Sequence, residues 1–305
     1  MVREWRRLQK VDELTYIGEC DSEHPQARVF GGHVLAQAMS AAYYTAPEGF
    51  YMHAVHCYFI RGGEESIPIT YNVKKIRDGR NFAIRYVEAV QHNKVIHLAE
   101  FSLQKLASVK DTFSLTPKFP ENVPDPDTLV SNISGRHQKI SEGYDARDFR
   151  GQVTERMAPS LEIRPVDLDL YLHGNEGINK TQLLWIRYKI PVEKSDYMLR
   201  HATIVYLSDL ELVTTGSLCF SDKRFKLQTS MDHSAWIHQY EFDINDWILY
   251  EQEFDINDWI LYEQECVANS NHRSLIHGRL WSRDGQLIMS TSQEALIYKV
   301  QPSKL

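Results

Sequence analysis

Two stretches of the chain repeat one pattern, a helix of small and apolar residues combined with several strands, and this pattern limits the possible folds. In the first stretch, a helical run at 29–49 precedes four segments rich in β-forming residues between 51 and 104. In the second, two strand segments precede a helix expected over 196–213, and further strands follow as far as residue 300. Strands joined by short turns favour antiparallel pairing. The sequence therefore predicts an α+β fold built from two similar halves.

A proline-rich region separates the two halves. Residues 106–157 contain TPKFPENVPDPD and then a polar stretch without a strand period, which is typical of a linker with short helical pieces. We therefore expect a first unit at 1–105, this linker at 106–157, a second unit at 158–300 and a short tail at 301–305.

The two predicted helices can be aligned from His33 and from His201 onwards. In this alignment Asp209 lies beside Ala41, so the halves differ where a carboxylate appears. Asp209 also ends an apolar stripe of the second helix, since residues at this spacing share one helix face. That stripe comprises Met198, Ala202, Val205 and Asp209. Either the carboxylate reaches solvent at the helix end, or it is buried and needs a partner or a function.

The amide of Gln293 presents the same problem on a strand. In QLIMSTSQEALIYKV it shares one face with apolar residues, because alternate residues of a strand point to the same side. These neighbours are Leu287, Met289, Ala295 and Ile297. A buried amide needs hydrogen-bond partners. A structural amide bonded to the backbone and a catalytic amide are both consistent with this pattern.

The run TSMDHSAWIH contains Asp232, His233 and Ser234, the three residue types of a hydrolase triad. A strand would direct His233 to one face and its two neighbours to the other, so the histidine could not contact either of them. Triad members also come from distant parts of a chain, and no G-x-S-x-G nucleophile motif occurs in the sequence. We therefore predict that these three residues do not form a triad.

The segment EFDINDWILYEQ occurs twice without any difference, at 241–252 and at 253–264. A repeat retained for structure keeps its apolar pattern and lets its surface drift, so identity at every position indicates a recent duplication or an error of sequence assembly. An even number of added residues preserves the strand phase downstream. We expect an extruded loop or an extended hairpin here, which would be wrong if Trp247 and Trp259 were equally buried.

Composition and the chain end predict the cellular setting. A net charge of −7 argues against a nucleic-acid partner, and no apolar run approaches the length of a membrane span. The N-terminal segment lacks the apolar stretch of a secretory signal, so we expect a protein that is made in the cytosol and is not secreted. Ser303, Lys304 and Leu305 form a peroxisomal targeting tripeptide. The expected location is the peroxisomal matrix, with the import receptor as a partner.

Seven stretches of the sequence resemble the acyl-CoA thioesterase II family, the double-hotdog thioesterases, and most closely its peroxisomal members. They occur in family order from about residue 10 to residue 299 and omit mainly the 106–157 linker. They are RVFGGHVLAQAM, HAVHCYFIRGG, RDGRNFAIRYVEAVQHNKVI, YLSDLEL, SMDHSAWIH, DWILYE and HGRLWSRDGQLIMSTSQEALI. The resemblance implies two fused hotdog units, each a long helix wrapped by an antiparallel sheet.

The resemblance also implies hydrolysis of acyl-CoA to free acid and CoA by an activated water, in lipid metabolism, without a metal, a cofactor or a covalent intermediate. In the family, a helix aspartate, a Ser or Thr just before the Asp-His-Ser run and a Gln near the C-terminus hold this water. These correspond to Asp209, Ser230 and Gln293. Ala41 in place of an aspartate makes the first unit catalytically degenerate. The family forms oligomers through its sheets, so we expect a homo-oligomer.

The identity of the active hydroxyl is open at this stage. Strand alternation places Thr229, and not Ser230, in phase with the apolar Leu227 and Met231. Either a bulge redirects Ser230, as happens beside active sites, or Thr229 is the active residue. The resemblance favours Ser230.

Two other functions are compatible with such a fold. A hotdog-type enoyl-CoA hydratase would need an Asp and His dyad on a short loop, and no such loop is found. A non-catalytic acyl-CoA binding protein would share the cleft but not the water site. The presence of Asp209, Ser230 and Gln293 argues against this second alternative.

Overall fold

The computed structural model of the protein describes residues 7–20, 28–105, 115–150, 157, 159–174, 181–193, 195–218, 220, 225–238 and 255–299. The chain forms two compact units, and each unit is assembled from three separate segments. The first unit contains Met1–Pro117, Val192–Asp209 and Asp232–Glu253. The second contains Lys118–Pro191, Leu210–Met231 and Phe254–Leu305.

The strands and helices of the described residues are as follows, in chain order. The strands are β1 (Gln9–Lys10), β2 (Thr15–Gly18), β3 (Phe50–Phe59), β4 (Ile69–Asp78), β5 (Phe82–Gln91), β6 (Lys94–Lys105), β7 (Leu161–Pro165), β8 (Thr181–Tyr188), β9 (Phe225–Ser230), β10 (Asp232–Ile237), β11 (Ile260–Ser270), β12 (Arg273–Ser282) and β13 (Leu287–Lys299). The α-helices are α1 (Gly31–Tyr44), α2 (Asn132–Ser141), α3 (Leu168–His173), α4 (Tyr197–Ser208) and α5 (Leu212–Gly216).

The first unit is an antiparallel sheet in the order β1-β2-β4-β5-β6-β3-β10 with helix α1 packed against it. Helix α4 packs in turn on α1. Small residues such as Ala36, Ala38 and Ala41 let α1 be buried on every side, and a helix that is apolar all round belongs in a core. This unit therefore has the helix-in-sheet arrangement expected of a hotdog.

The second unit repeats this arrangement with an antiparallel sheet in the order β9-β13-β12-β11-β8-β7. Helix α5 lies on β11, β12 and β13. The opposite face of this sheet carries Trp185, Trp259 and Trp281, and the linker residue Phe119 packs against their cluster. The indole of Trp185 also donates to the linker carbonyl of Pro124 at 2.9 Å. The linker thus covers the outer face of the second sheet.

The predicted α+β fold of two fused hotdog units is confirmed, since both units pair helices with an antiparallel sheet. The single helix expected over 196–213 is wrong in detail, because α4 ends at Ser208 and α5 begins at Leu212. Glu211 separates them with a left-handed backbone (φ 63°), which no continuous α-helix accommodates. The expected unit boundaries at 105, 157 and 300 stay a prediction.

Of the two copies of the repeated segment, the structure describes residues 255–264 of the second. In the second copy, Trp259 is buried and the last five residues begin β11. The first copy lies outside the described residues, as do Trp247 and the targeting tripeptide at 303–305, so the expected loop stays a prediction. None of the helices described above has both the length and the hydropathy to cross a membrane.

Candidate active site

Asp209 lies at the C-terminal end of α4 in the first unit and is buried, with 3% of its surface exposed. Asp196 precedes the first residue of the helix, and its carboxylate accepts from the Leu199 N–H at 3.0 Å and so caps the first turn. Its interior is buried from Leu199 to Ser208. Of the two readings of the apolar stripe, the structure therefore selects the buried carboxylate over the solvent-exposed one.

The carboxylate of Asp209 lies against the first residue of α1. A Cβ at Gly31 would be 2.7 Å from Asp209 Oδ2 and 2.8 Å from the Phe59 ring, so only glycine fits at this position. The N-terminal end of a helix carries partial positive charge, which stabilises an anionic carboxylate. Burial, and in addition the Asp209 charge, raises the pKa of the Cys57 thiol, so this neighbour stays protonated.

His233 supports the helix end next to Asp209. Ser208 Oγ donates to the Val205 carbonyl at 2.7 Å, which leaves the oxygen to accept from His233 Nε2 at 3.0 Å. Ser234 instead bonds to His56 Nδ1 at 2.9 Å. Along β10, His233 is buried while Asp232 and Ser234 are half-buried on the other face. The prediction that these residues do not form a triad is confirmed.

Ser230 and Gln293 meet in the second unit. Gln293 on β13 is fully buried, and its Nε2 donates to Ser230 Oγ at 2.8 Å. Ser230 is the last residue of β9 and lies opposite Ala295. The hydroxyl accepts this bond and keeps its own hydrogen to donate to a further acceptor, such as a water molecule.

Ser230 keeps the regular phase of β9 and lies opposite the buried Ala295. The apolar Leu227 lies on the other face of β9 and is exposed, so alternation counted from Leu227 assigned the buried face to Thr229. Within the described residues, Thr229 Oγ1 donates to the Ser230 carbonyl at 3.4 Å. Gln293 therefore selects Ser230 rather than Thr229 as its hydroxyl partner.

A second set of buried polar residues, which the sequence analysis missed, surrounds the turn after Asp209. Gln182 and Gln264 face each other on β8 and β11, and Thr215 of α5 lies between their amides. Gln264 shares a strand face with Ile260 and Tyr262, both buried. The same test that selected Gln293, an amide inside an apolar row, would have selected Gln264.

Of the three predicted site residues, the structure brings Ser230 and Gln293 into contact, while Asp209 belongs to the other unit. Asp209 belongs to the first unit, while Ser230 and Gln293 belong to the second and are hydrogen bonded to each other. Among the residues that the structure describes, no group of three or more His, Cys, Asp or Glu side chains could hold a metal ion.

Two protein-family models match the sequence of this chain. The acyl-CoA thioesterase N-terminal domain matches residues 21–104, and the acyl-CoA thioesterase C-terminal domain matches residues 140–297. The chain belongs to the acyl-CoA thioesterase family. The thioesterase is accordingly a thioester hydrolase. The second match spans Asp209, Ser230 and Gln293, whereas the first spans Ala41.

Individual relatives of this thioesterase cover nearly its whole length. Acyl-coenzyme A thioesterase 8 of Rattus norvegicus is 31% identical and matches 98% of this chain and 90% of its own. Peroxisomal acyl-coenzyme A thioester hydrolase 1 of Saccharomyces cerevisiae is 25% identical over 88% and 85% of the two chains. The crystal structure of an acyl-CoA thioesterase II from Mycobacterium marinum superposes with a TM-score of 0.73 at 26% identity, covering 99% of both chains.

Proposed function

We propose that this thioesterase cleaves acyl-CoA with a water molecule that Asp209 activates and that Ser230 and Gln293 orient. The hydrogen bond from the fully buried Gln293 amide to Ser230 supports this proposal most directly. A buried amide that donates a hydrogen bond to a hydroxyl fixes the direction of that hydroxyl. The burial of Asp209 gives further support, because a carboxylate kept from bulk water is costly without a function.

The proposed chemistry has two steps. The water oxygen attacks the thioester carbonyl carbon while the Asp209 carboxylate accepts one water proton. The tetrahedral intermediate then collapses, the carbon–sulfur bond breaks, and the leaving sulfur takes up the proton from Asp209. The products are a free acid and CoA. The hydrogen bonds of Ser230 and Gln293 hold the water in an orientation suited to attack.

Thiol release from a panel of acyl-CoAs tests this assignment. Asp209→Ala should lower kcat about 1000-fold, since it removes the proton acceptor. Asp169→Ala is the control, because this carboxylate is largely exposed on α3, and it should keep the wild-type rate. Equal rates for wild type and Asp209→Ala would refute the assignment. Binding of acyl-CoA without thiol release by the wild type would favour the binding-protein alternative, and water addition to enoyl-CoA would favour the hydratase.

We propose that this activity takes place in the peroxisomal matrix. The tripeptide Ser303-Lys304-Leu305 supports this location, together with the name of the yeast relative. A fluorescent protein fused ahead of the full chain should coincide with a matrix marker in cells. Removal of the last three residues should leave the fusion in the cytosol, and an unchanged distribution would contradict the proposal.

We also propose that the chain self-associates through the sheet of its first unit. Tyr58 is 56% exposed and Trp236 is 37% exposed on the neighbouring strands β3 and β10, and large exposed apolar side chains favour burial by a partner. Light scattering should give a mass above that of one chain. The double variant Tyr58→Glu, Trp236→Glu should be monomeric, and an unchanged mass would place the interface elsewhere.

A further inference from the structure

The two residues that follow Asp209 are held by side chains of the second unit. Gln264 Nε2 donates to the carbonyl of Leu210 at 2.7 Å. Glu211 is fully buried, and its Oε1 accepts from Tyr171 Oη at 2.8 Å. Both contacts are made by residues distant in sequence, so the turn between α4 and α5 does not depend on local hydrogen bonds alone.

The Gln264 amide is itself held in place on its other side. Its Oε1 accepts from Thr215 Oγ1 at 2.5 Å and from Gln182 Nε2 at 3.0 Å. Gln182 also donates to Thr215 Oγ1. All three side chains are buried. An amide whose oxygen has two donors cannot rotate without losing both, so the direction of its N–H group toward Leu210 is fixed.

The backbone of this turn is strained as well as held. Glu211 has a φ of 63°, a conformation that costs a residue with a side chain about 1 kcal/mol. The Thr215 N–H bonds to the Glu211 carbonyl at 2.9 Å and so begins α5 from this conformation. Such strain persists only where the surroundings enforce it, and it is concentrated at functional sites.

We infer that Thr215 and Gln264 are positioning residues for Asp209, an inference that rests on the proposed catalytic role of Asp209. The peptide carbonyl of Leu210 lies one residue beyond Asp209, so a clamp on this carbonyl fixes the backbone from which the Asp209 carboxylate projects. Catalytic groups must be held within about 0.5 Å of their working geometry. A displacement of about 1 Å costs on the order of 100-fold in rate.

A positioning role and a purely structural role of Thr215 have different kinetic effects. A positioning residue changes the chemical step through Asp209 alone, so its loss lowers kcat and leaves KM unchanged. It also has nothing to act through once Asp209 is absent. A residue needed only for stability would instead lower the melting temperature without this dependence on Asp209.

The test removes one hydroxyl and measures its effect with and without Asp209. Thr215→Val should lower kcat about tenfold or more with KM within about twofold of wild type, and Thr215→Ser, which keeps the hydroxyl, should restore the rate. Thr214→Val is the matched control, because Thr214 is a buried threonine on the same helix whose hydroxyl has no part in the contacts of Gln182 and Gln264. It should have wild-type activity. In the Asp209→Ala background, Thr215→Val should cause no further loss.

The outcomes distinguish a failure of the positioning role from a failure of the proposed function. An equal fold-loss from Thr215→Val in both backgrounds, or a change in KM alone, would overturn the positioning role. Full activity of Asp209→Ala would instead overturn the proposed function. All rates are compared well below the melting temperature measured by circular dichroism. If Thr215→Val does not fold, Tyr171→Phe removes one hydroxyl from the same turn and should also lower kcat only when Asp209 is present.

Discussion

Gln293 in the second unit and Phe101 in the first lie at corresponding positions on the last strand of each sheet. Each follows the left-handed turn residue of its hairpin, Gly285 or Asn93, by eight positions. Two residues further on, the cross-strand partners are Ser230 in the second unit and Met52 in the first. The pair that forms an amide–hydroxyl hydrogen bond in one unit is therefore a pair of buried apolar side chains in the other.

The first unit places its buried polar group one strand away. Arg85 lies opposite Phe101, at the position that the apolar Ile276 has opposite Gln293. Its guanidinium is fully buried and donates to the Thr45 carbonyl at 2.8 Å and to Asp78 at 2.6 Å, so it holds the end of α1. The buried polar side chain of the first unit thus stabilises a helix terminus, whereas that of the second unit, on the neighbouring strand, orients a hydroxyl.

The largest expected difference between the two units is that between substitutions of Gln293 and of Phe101. Gln293→Met should lower kcat about 100-fold, because it removes one fixed donor at the reacting centre. Phe101→Leu should leave kcat unchanged and lower the free energy of unfolding by about 1–2 kcal/mol. Steady-state thiol release and urea denaturation measure the two quantities. A loss of kcat in Phe101→Leu would mean that strand β6 of the first unit takes part in the chemistry in addition to Asp209.

A second substitution tests whether the polar group of the first unit is structural. Arg85→Met should lower the free energy of unfolding by about 3 kcal/mol, since the Thr45 carbonyl loses its buried donor. Its kcat should match that of wild type below the melting temperature. Thermal unfolding followed by circular dichroism gives the stability. A normal melting temperature with a reduced kcat would mean that Arg85 acts in the chemistry and not in the stability of the first unit.

Acid sensitivity should also distinguish the units, because the first contains buried neutral histidines. Burial, and in addition the nearby His233, lowers the pKa of His97 to about 3. Between pH 6.5 and about 3 the unfolded chain binds a proton that folded His97 does not, so stability falls as the pH falls through this window. His97→Phe removes this loss and should stabilise the protein by about 2 kcal/mol more at pH 5 than at pH 8.

His33 and His201 provide the control for this prediction. Burial lowers the pKa of each to about 4, and both lie in the first unit. His97→Phe should therefore reduce, but not abolish, the loss of stability in acid. Equal stabilisation at pH 5 and pH 8 would show that His97 does not contribute to it.

The smallest effect is expected from removing the first copy of the repeated segment. Strand β11 is built from the second copy and the residues after it, so deletion of 241–252 leaves the strand complete. Shortening a loop by this amount changes the closure entropy by about 1 kcal/mol or less. The melting temperature and kcat should both stay close to wild type. Loss of folding would mean that both copies are needed.

Local patterns predicted most of this fold because its strands and helices agree with their sequence periods. The segments expected as strands between 51 and 104 correspond to β3, β4, β5 and β6. The apolar rows containing Asp209 and Gln293 also pointed correctly to burial. Both signals are local, since they depend on which face of one element a side chain occupies.

Features that depend on tertiary contacts could not be predicted in this way. The left-handed Glu211 breaks a run with continuous helical character, and its carboxylate is bonded to Tyr171, forty residues earlier. The apolar Leu227, which should lie on the buried face of β9, is exposed instead, and Ser230 on the opposite face meets Gln293 of β13. This exposure is not visible from the neighbouring residues, so simple alternation assigned Ser230 to the wrong face.

The linker contacts with Trp185 and Trp281 limit how copies of the chain can combine. Within the described residues, the outer face of one sheet is occupied by the chain itself, and that of the other is open. A molecule with two open faces could join head to tail without limit and form fibres. With a single self-complementary face, growth ends at a twofold pair. If copies of the chain pair through the sheet of the first unit, as proposed, the proline-rich linker leaves each molecule a single face of this kind.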